Sequence, residues 1–348
     1  MMTDYQIHVI DLSEAPQVNK ITAFLARFGL NFDLDVDYTI ALEKRDVIIG
    51  TGSFAGEVLR NIAVDDAFQG EGLTAVILNE LVQEQARRHI MHRLIFTKPS
   101  AAARFLALGF REIARAEPWA VLLESGIDGI GEYLARIAGL TKTLPSPRTG
   151  IVVNCNPFTR GHLGLIETAA RDSKAVIVFV VKEDRSLFPF QDRFDLIRCG
   201  LAHLSNVTVV DTGIYMVSAA TFPTYFTREE HLATAQAHLD VALFAQTIAP
   251  ALNINARYVG EEPYSAVTEA YNQAMRDILP KRGISLKVIP RFTAPSGRII
   301  SASIVRESIR QDDWKGLREL VPDVTWEYLT ASSHADIIQK IKTSHSRH

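Results

Sequence analysis

Hydrophobic and polar positions follow two different rhythms along the chain. Up to about residue 125 the apolar stretches are short and broken by polar residues. This pattern predicts strands over 5–11, 38–44, 47–54 and 57–64, with a hairpin turn at Arg45-Asp46 joining the second and third. Over 73–88, leucine, isoleucine and valine recur at helical spacing, which predicts a long amphipathic helix. A strand at 93–96, a helix at 101–108 and strands at 110–115 and 120–124 complete an α+β half.

From residue 150 the rhythm changes. Residues 150–153 and 175–181 are unbroken β-branched runs, as in parallel strands covered on both faces. Helical patterns at 163–171 and 193–204 lie between and after them. Strands follow at 207–210, 257–259 and 286–289, then short helices at 301–310 and 314–320. Alternation of this kind predicts a doubly wound, Rossmann-like α/β sheet. Ligands of such sheets sit beyond the carboxyl ends of the strands, so the loops after Val153, Val181 and Val259 are where chemistry is expected. The prolines of TKTLPSPR break the helical segment 128–140 and mark a boundary. The expected division is a first domain over 1–140, a linker over 141–148, a second domain over 149–330 and a tail over 331–348. The tail ends in SHSRH, which is expected to fray with its histidines solvated.

Composition narrows the class. The 348 residues are 47% hydrophobic and 22% charged, an ordinary balance for a chain long enough for two cores. The longest purely apolar run, 175–181, falls far short of the roughly 20 residues a bilayer requires. The start, MMTDYQIHVID, lacks a basic-then-apolar leader pattern. Two cysteines, Cys155 and Cys199, exclude a disulfide framework, so a reducing cytoplasm fits. Residues 1–148 carry 15 basic and 19 acidic side chains and the remainder 22 and 21. Neither half has the basic excess of a sequence-independent nucleic-acid binder.

The strongest local signal is Asn154-Cys155-Asn156-Pro157-Phe158-Thr159-Arg160-Gly161-His162, which follows the first buried strand and opens a helix. Free N–H groups and a partial positive charge at a helix N-terminus attract phosphate. Gly161 permits close backbone approach, and Thr159 and His162 are side-chain donors. The same residues also read as a tight turn with Thr159 as N-cap and a surface histidine.

Thr-x-Gly-His after a first strand resembles the HIGH-motif nucleotidyltransferases, which transfer AMP or CMP groups. Thr159 stands where the strictest form has its first histidine, as in the small-molecule branch of that superfamily. Its second motif, a Ser/Thr-rich turn ending in a basic residue, is matched by Ile300-Ser301-Ala302-Ser303-Ile304-Val305-Arg306. NCNPFTRGH, EDRSLFPFQDR, VGEEPYSAVTEAYN and ISASIVR together resemble the citrate (pro-3S)-lyase ligase family over almost the whole chain. A long Ala-rich helix over 226–252 also fits.

The resemblance implies an enzyme that activates acetate with ATP as acetyl-AMP and releases diphosphate. It then acetylates the thiol of the CoA-like prosthetic group on the acyl carrier subunit of citrate lyase. By that resemblance His162, Thr159 and Arg306 are the catalytic set. Asn154, Asn156, Gly161, Ser301, Ser303, Gly260 and Glu262 would contact ATP, and Mg²⁺ would arrive on the nucleotide, leaving no metal site of the protein's own. Lys182 and Arg185 would meet acetate or phosphate, or are solvated loop charges; Glu262 is equally readable as an exposed acid. Cys155 has no identifiable His–Asp partner and reads as a small buried residue.

In the first half, Gln69-Gly70-Glu71-Gly72-Leu73-Thr74 resembles the pyrophosphate-binding turn of GNAT acetyltransferases, although Thr74 replaces their usual small residue. FLALGF at 105–110 resembles that family's closing helix-to-strand element. The resemblance implies a GNAT-like domain in which Gln69, Gly70 and Gly72 hold the carrier's CoA-like arm, or a retained fold without that binding. Gly50-Thr51-Gly52-Ser53-Phe54-Ala55 fits G-x-G-x-x-A but opens no helix, and is expected to be a β-turn. Two rival functions stay open: adenylyl transfer to a pantetheine-type phosphate acceptor, and an acetyl-CoA and nucleotide sensor.

Overall fold

The computed structural model describes residues 5–182, 186–216, 229–261 and 266–344. It divides into two compact units, Met1–Glu132 with Thr221–Ala242, and Tyr133–Ala220 with Leu243–His348.

The first unit is α+β. In chain order it holds β1 (Gln6–Val9), α1 (Ala15–Ala26), β2 (Tyr38–Lys44), β3 (Val47–Ala55), β4 (Val58–Val64), α2 (Leu73–Arg87), β5 (His92–Thr97), α3 (Pro99–Leu106), β6 (Arg111–Ala116) and β7 (Ala120–Gly126). They form one seven-stranded sheet in the order β1-β2-β3-β4-β5-β7-β6. Arg45 and Asp46 both take positive φ, 51° and 64°, which gives the β2–β3 hairpin the twist its strands need. Strands β4 and β5 run parallel and pair through Val58–Leu94 and Leu59–Ile95 alone. Helices α2 and α3 bury Ile77, Leu81 and Phe105 with Phe54 and Leu59, while α1 buries Ile21 and Leu25 with Ala41.

Two expectations need correction here. Helix α1 was not foreseen, although Ile21, Phe24 and Leu25 make a buried stripe. The glycines of GTGSFA do not form a turn but lie inside β3, because a Cβ at Gly52 would collide with Ile77 of α2. They are glycine so that a helix can lie close to the strand.

The second unit walks through α4 (Ile130–Leu140), β8 (Arg148–Val153), α5 (Arg160–Asp172), β9 (Val176–Val180), α6 (Phe190–Gly200) and β10 (Val207–Asp211). After α7 (Glu229–Leu243), most of which falls in the first unit, come α8 (Ala249–Ala251), β11 (Ile254–Gly260), α9 (Ala266–Ile278) and β12 (Ser285–Ile289). Helices α10 (Ala302–Arg310), α11 (Trp314–Leu320), α12 (Asp323–Thr330) and α13 (Ala335–Thr343) end it. All strand pairs are parallel, in the order β10-β9-β8-β11-β12. This is the doubly wound sheet expected, and its strand order reverses between β8 and β11. A crevice opens at that switch point.

The helix expected over 226–252 is interrupted: α7 passes into π-helical turns at Phe244–Ile248 before α8, and 226–228 lie outside the described residues. In the segment 141–148, buried Arg148 donates to the carbonyls of Thr141, Leu144 and Leu252, so these residues are bonded into the second unit. Residues 331–344 of the tail are folded. Helix α13 buries Ile341, whose carbonyl accepts from Arg310 Nε at 3.2 Å, and the ring of His334 stacks on Tyr328 at 3.8 Å. Residues 345–348 lie outside the described residues.

Candidate functional site

A cleft of about 300 Å³ lies at the switch point of the second sheet. Asn154 enters it from the end of β8, Gly260 and Glu261 from β11, and Arg291 and Phe292 from beyond β12. Two helix N-termini edge the same cleft, Gly161 and His162 of α5 and Ser301 to Ser303 of α10. They lie close together: a Cβ added at Gly161 would stand 3.4 Å from Ile300. Each N-terminus carries unpaired N–H groups and a partial positive charge, so the pair draws anions to one place.

The first N-terminus is held by a capping box in which histidine takes the usual place of glutamate. Thr159 adopts extended geometry, φ −118° and ψ 165°, and its Oγ1 accepts from the His162 N–H at 3.3 Å. In return His162 Nδ1 accepts the Thr159 N–H at 3.1 Å. A ring nitrogen that accepts a backbone N–H carries no proton itself, so the imidazole is the Nε2–H tautomer. Burial pushes its pKa down to about 4, and the ring is neutral at pH 7. The Thr159 hydroxyl, 1% exposed, lies 3.0 Å from Nδ1 and is committed to this cap. His162 therefore offers the cleft a neutral N–H donor. Thr159 fixes which nitrogen bears it.

At the second N-terminus Ser301 is the N-cap, with Oγ accepting from the Ile304 N–H at 3.2 Å, while Ser303 lines the cleft exposed. The structure thus brings together Asn154, Thr159, Gly161, His162, Gly260, Ser301 and Ser303. Asn156, Lys182 and Arg306 are not among the lining residues. Asn156 is buried, its side-chain oxygen accepting from the Phe188 N–H at 3.1 Å. Arg306, 5% exposed, donates through Nη1 to the Asn156 carbonyl at 2.5 Å. Lys182 is exposed beyond β9, with its backbone N–H on Thr212 Oγ1 at 3.1 Å. Glu262 and Arg185 lie outside the described residues. Burial pushes the Cys155 thiol far above its usual range, in keeping with a packed rather than nucleophilic residue.

Comparison with known proteins decides the family. A model of the citrate lyase ligase C-terminal domain matches residues 148–329. The citrate (pro-3S)-lyase ligase of Klebsiella pneumoniae is 37% identical over 91% of this chain and 94% of its own. That of Escherichia coli K12 is 35% identical over 91% of each. The chain belongs to the citrate lyase ligase family. A shorter segment, 57 residues or 16% of the chain, is 44% identical to the phosphopantetheine adenylyltransferase of Corynebacterium efficiens, covering 36% of that protein.

Three residues of this family member that reasoning from sequence passed over belong to the site or its frame. Arg291 lines the cleft as a cation, its Nε donating to the Glu261 carbonyl at 3.0 Å. The signal was available, since it stands two residues past a parallel strand. Arg193 and Thr325 are fully buried and support the loop from α6 and from α12. Both occupy apolar stripes, with Phe190, Phe194 and Ile197 and with Val321 and Leu329, where a polar residue signals an internal partner.

In the first unit Gly70 and Gly72 have φ +88° and +77°, a left-handed geometry that suits glycine, and Gly72 is the N-cap of α2. Gln69 is exposed and its amide donates to Asp66 Oδ1. A second cavity of about 210 Å³ lies where β4 and β5 part, lined among others by Gln69, Thr74, Phe105 and Thr97. Among the described residues, no helix is long and apolar enough to cross a membrane.

Proposed function

We propose that the second unit adenylates acetate with ATP and that the product is acetyl-AMP. An acetate oxygen attacks the α-phosphorus, the bond from that phosphorus to the bridging oxygen breaks, and diphosphate leaves with the negative charge. The sulfur of the carrier's prosthetic group then attacks the acetyl carbonyl, the thiol proton is lost, and AMP departs. The observation that carries this reading is the pairing of two helix N-termini over one cleft with a neutral imidazole N–H between them. Such a set stabilises phosphate charge without having to reorganise. His162 Nε2–H and the Ser303 hydroxyl donate to phosphate oxygens, Arg291 supplies a positive charge, and Gly260 leaves room for the nucleoside. The local similarity to a phosphopantetheine adenylyltransferase, an enzyme named for adenylyl transfer, supports the same chemistry.

Among the described residues no group of three or more His, Cys, Asp or Glu is placed to hold a metal ion. Mg²⁺ would enter on the phosphates, where it neutralises charge on the leaving diphosphate. The acceptor arm on the acyl carrier subunit of citrate lyase would lie in the first unit, along the cavity between β4 and β5. Gln69, Thr74 and Thr97 line that cavity with polar side chains, as a polar arm requires. A reducing cytoplasm suits such a thiol.

ATP–diphosphate exchange, measured with and without acetate, tests the reading. Exchange that appears only with acetate is the expected result. Exchange that ignores acetate and responds to a pantetheine phosphate would favour adenylyl transfer to phosphate instead. ATP binding without any exchange would make the chain a sensor.

A further inference from the structure

The loop that carries the catalytic helix is gripped at alternate carbonyls by three buried donors from three different helices. Arg193 of α6, fully buried, donates through Nη1 to the Asn154 carbonyl at 2.7 Å and to that residue's side-chain oxygen at 2.7 Å. It also reaches the carbonyls of Val181 and Phe188, at 3.0 and 3.1 Å. Arg306 of α10 donates to the Asn156 carbonyl. Thr325 of α12, also fully buried, donates through Oγ1 to the Phe158 carbonyl at 3.0 Å. The ring of Phe158, 0% exposed, lies parallel to the ring of His162, tilted by 13° with centroids 6.3 Å apart.

A strand-to-helix turn ordinarily takes its geometry from its own backbone, and its carbonyls are free to face water. Here three alternate carbonyls are satisfied from inside the protein. A buried donor left unmet is costly, so each holds its carbonyl in place. The two side chains that the loop presents to the cleft at either end, Asn154 and His162, inherit that placement.

We propose that Arg193, Arg306 and Thr325 are positioning residues of the adenylation site. They clamp Asn154, Asn156 and Phe158 so that the His162 Nε2–H is aimed at the transferring phosphate before ATP arrives. Arg306 on this view acts through the loop, and the second motif is coupled to the first by a protein–protein hydrogen bond. The proposal rests on the adenylation reading and adds to it the part played by α12, outside either motif. A donor displaced by about 1 Å can lose about 100-fold in rate with little change in binding, which sets the size of the expected effect.

Thr325 gives the gentlest test, because Thr325→Val keeps the shape and deletes only the hydroxyl. In acetate-dependent ATP–diphosphate exchange, Thr325→Val should lower kcat about 10- to 100-fold with the KM for ATP within about twofold. Thr325→Ser, which restores the hydroxyl, should recover to within about threefold of wild type. Full kcat in Thr325→Val, or equal loss in the valine and serine variants, would overturn the clamp. A separate readout follows the His162 ring by NMR, assigned by its disappearance in His162→Gln. Wild type and Thr325→Ser should share one depressed titration, and Thr325→Val should titrate higher as the Phe158 wall loosens. An unchanged titration in Thr325→Val also overturns the proposal. Absence of exchange in wild type would instead defeat the adenylation reading, leaving the NMR comparison to judge the clamp alone.

Discussion

His162 shows what a single side chain gains from its neighbours. The motif made it visible in the sequence, since Gly161-His162 after a buried strand already suggests a phosphate-binding helix start. Its protonation state was not visible, because that depends on the Thr159 N–H pointing at Nδ1 and on the walls around the ring. The same limit applies to Arg306, legible as a motif residue but not as the partner of the Asn156 carbonyl 150 positions away. If His162 is the neutral donor proposed above, His162→Ala should lower acetate-dependent exchange by about 100-fold or more while ATP binding weakens far less. Near-normal exchange in a folded variant would remove the residue from the mechanism. The depressed pKa also fixes a sign. Folded His162 resists protonation between its usual value near 6.5 and about 4, so its share of stability is present above pH 6.5 and is lost as pH falls through that window.

At the level of elements, periodicity found every strand and most helices among the described residues, because parallel strands and amphipathic helices write their burial into the sequence. It missed what packing decides. Helix α13 is not among the predicted elements because one buried residue, Ile341, makes too short a stripe to stand out. The GTGSFA glycines looked like a turn because only the approach of α2 explains them. Gly164 poses the same question at the cleft. It lies on α5, and a Cβ there would stand 2.8 Å from the ring of Phe292, which lines the cleft after β12. That spacing is too tight for a side chain, so Gly164→Ala should push Phe292 into the cleft proposed to hold the nucleotide. The expected result is a several-fold rise in the KM for ATP with a stability loss of about 1–3 kcal/mol. A KM equal to wild type would show that the Phe292 ring can retreat elsewhere.

On the scale of the whole chain, each unit has its own core and its own ionisable centre, and these can be read separately. In the first unit the buried His92 lies 2.8 Å from Glu57 and 3.0 Å from Glu124, and Glu124 also holds Arg111 and the Ile130 N–H. Burial alone would lower the pKa of His92, but hydrogen bonds to Glu124 and Glu57 outweigh it and hold the ring near 9. A raised value stabilises the fold below pH 6.5, and that share is lost as pH rises toward 9. First-unit stability should therefore fall by on the order of 2 kcal/mol across that range, and the slope should vanish in His92→Gln; a slope retained in that variant would assign it to another group. The division of labour proposed for the two units has its own test. The Gly70 and Gly72 backbone, with φ of +88° and +77°, leaves open space where a Cβ would project. Valine at both positions would strain the turn and cover its amides. If those amides receive the pyrophosphate of the carrier's arm, Gly70→Val/Gly72→Val should raise the carrier KM about tenfold or more. Acetate-dependent ATP–diphosphate exchange, which needs only the second unit, should stay within about twofold of wild type. An unaltered carrier KM would end the docking idea. Parallel loss of both activities would instead show a first unit whose contribution to the reaction is the stability it lends its neighbour.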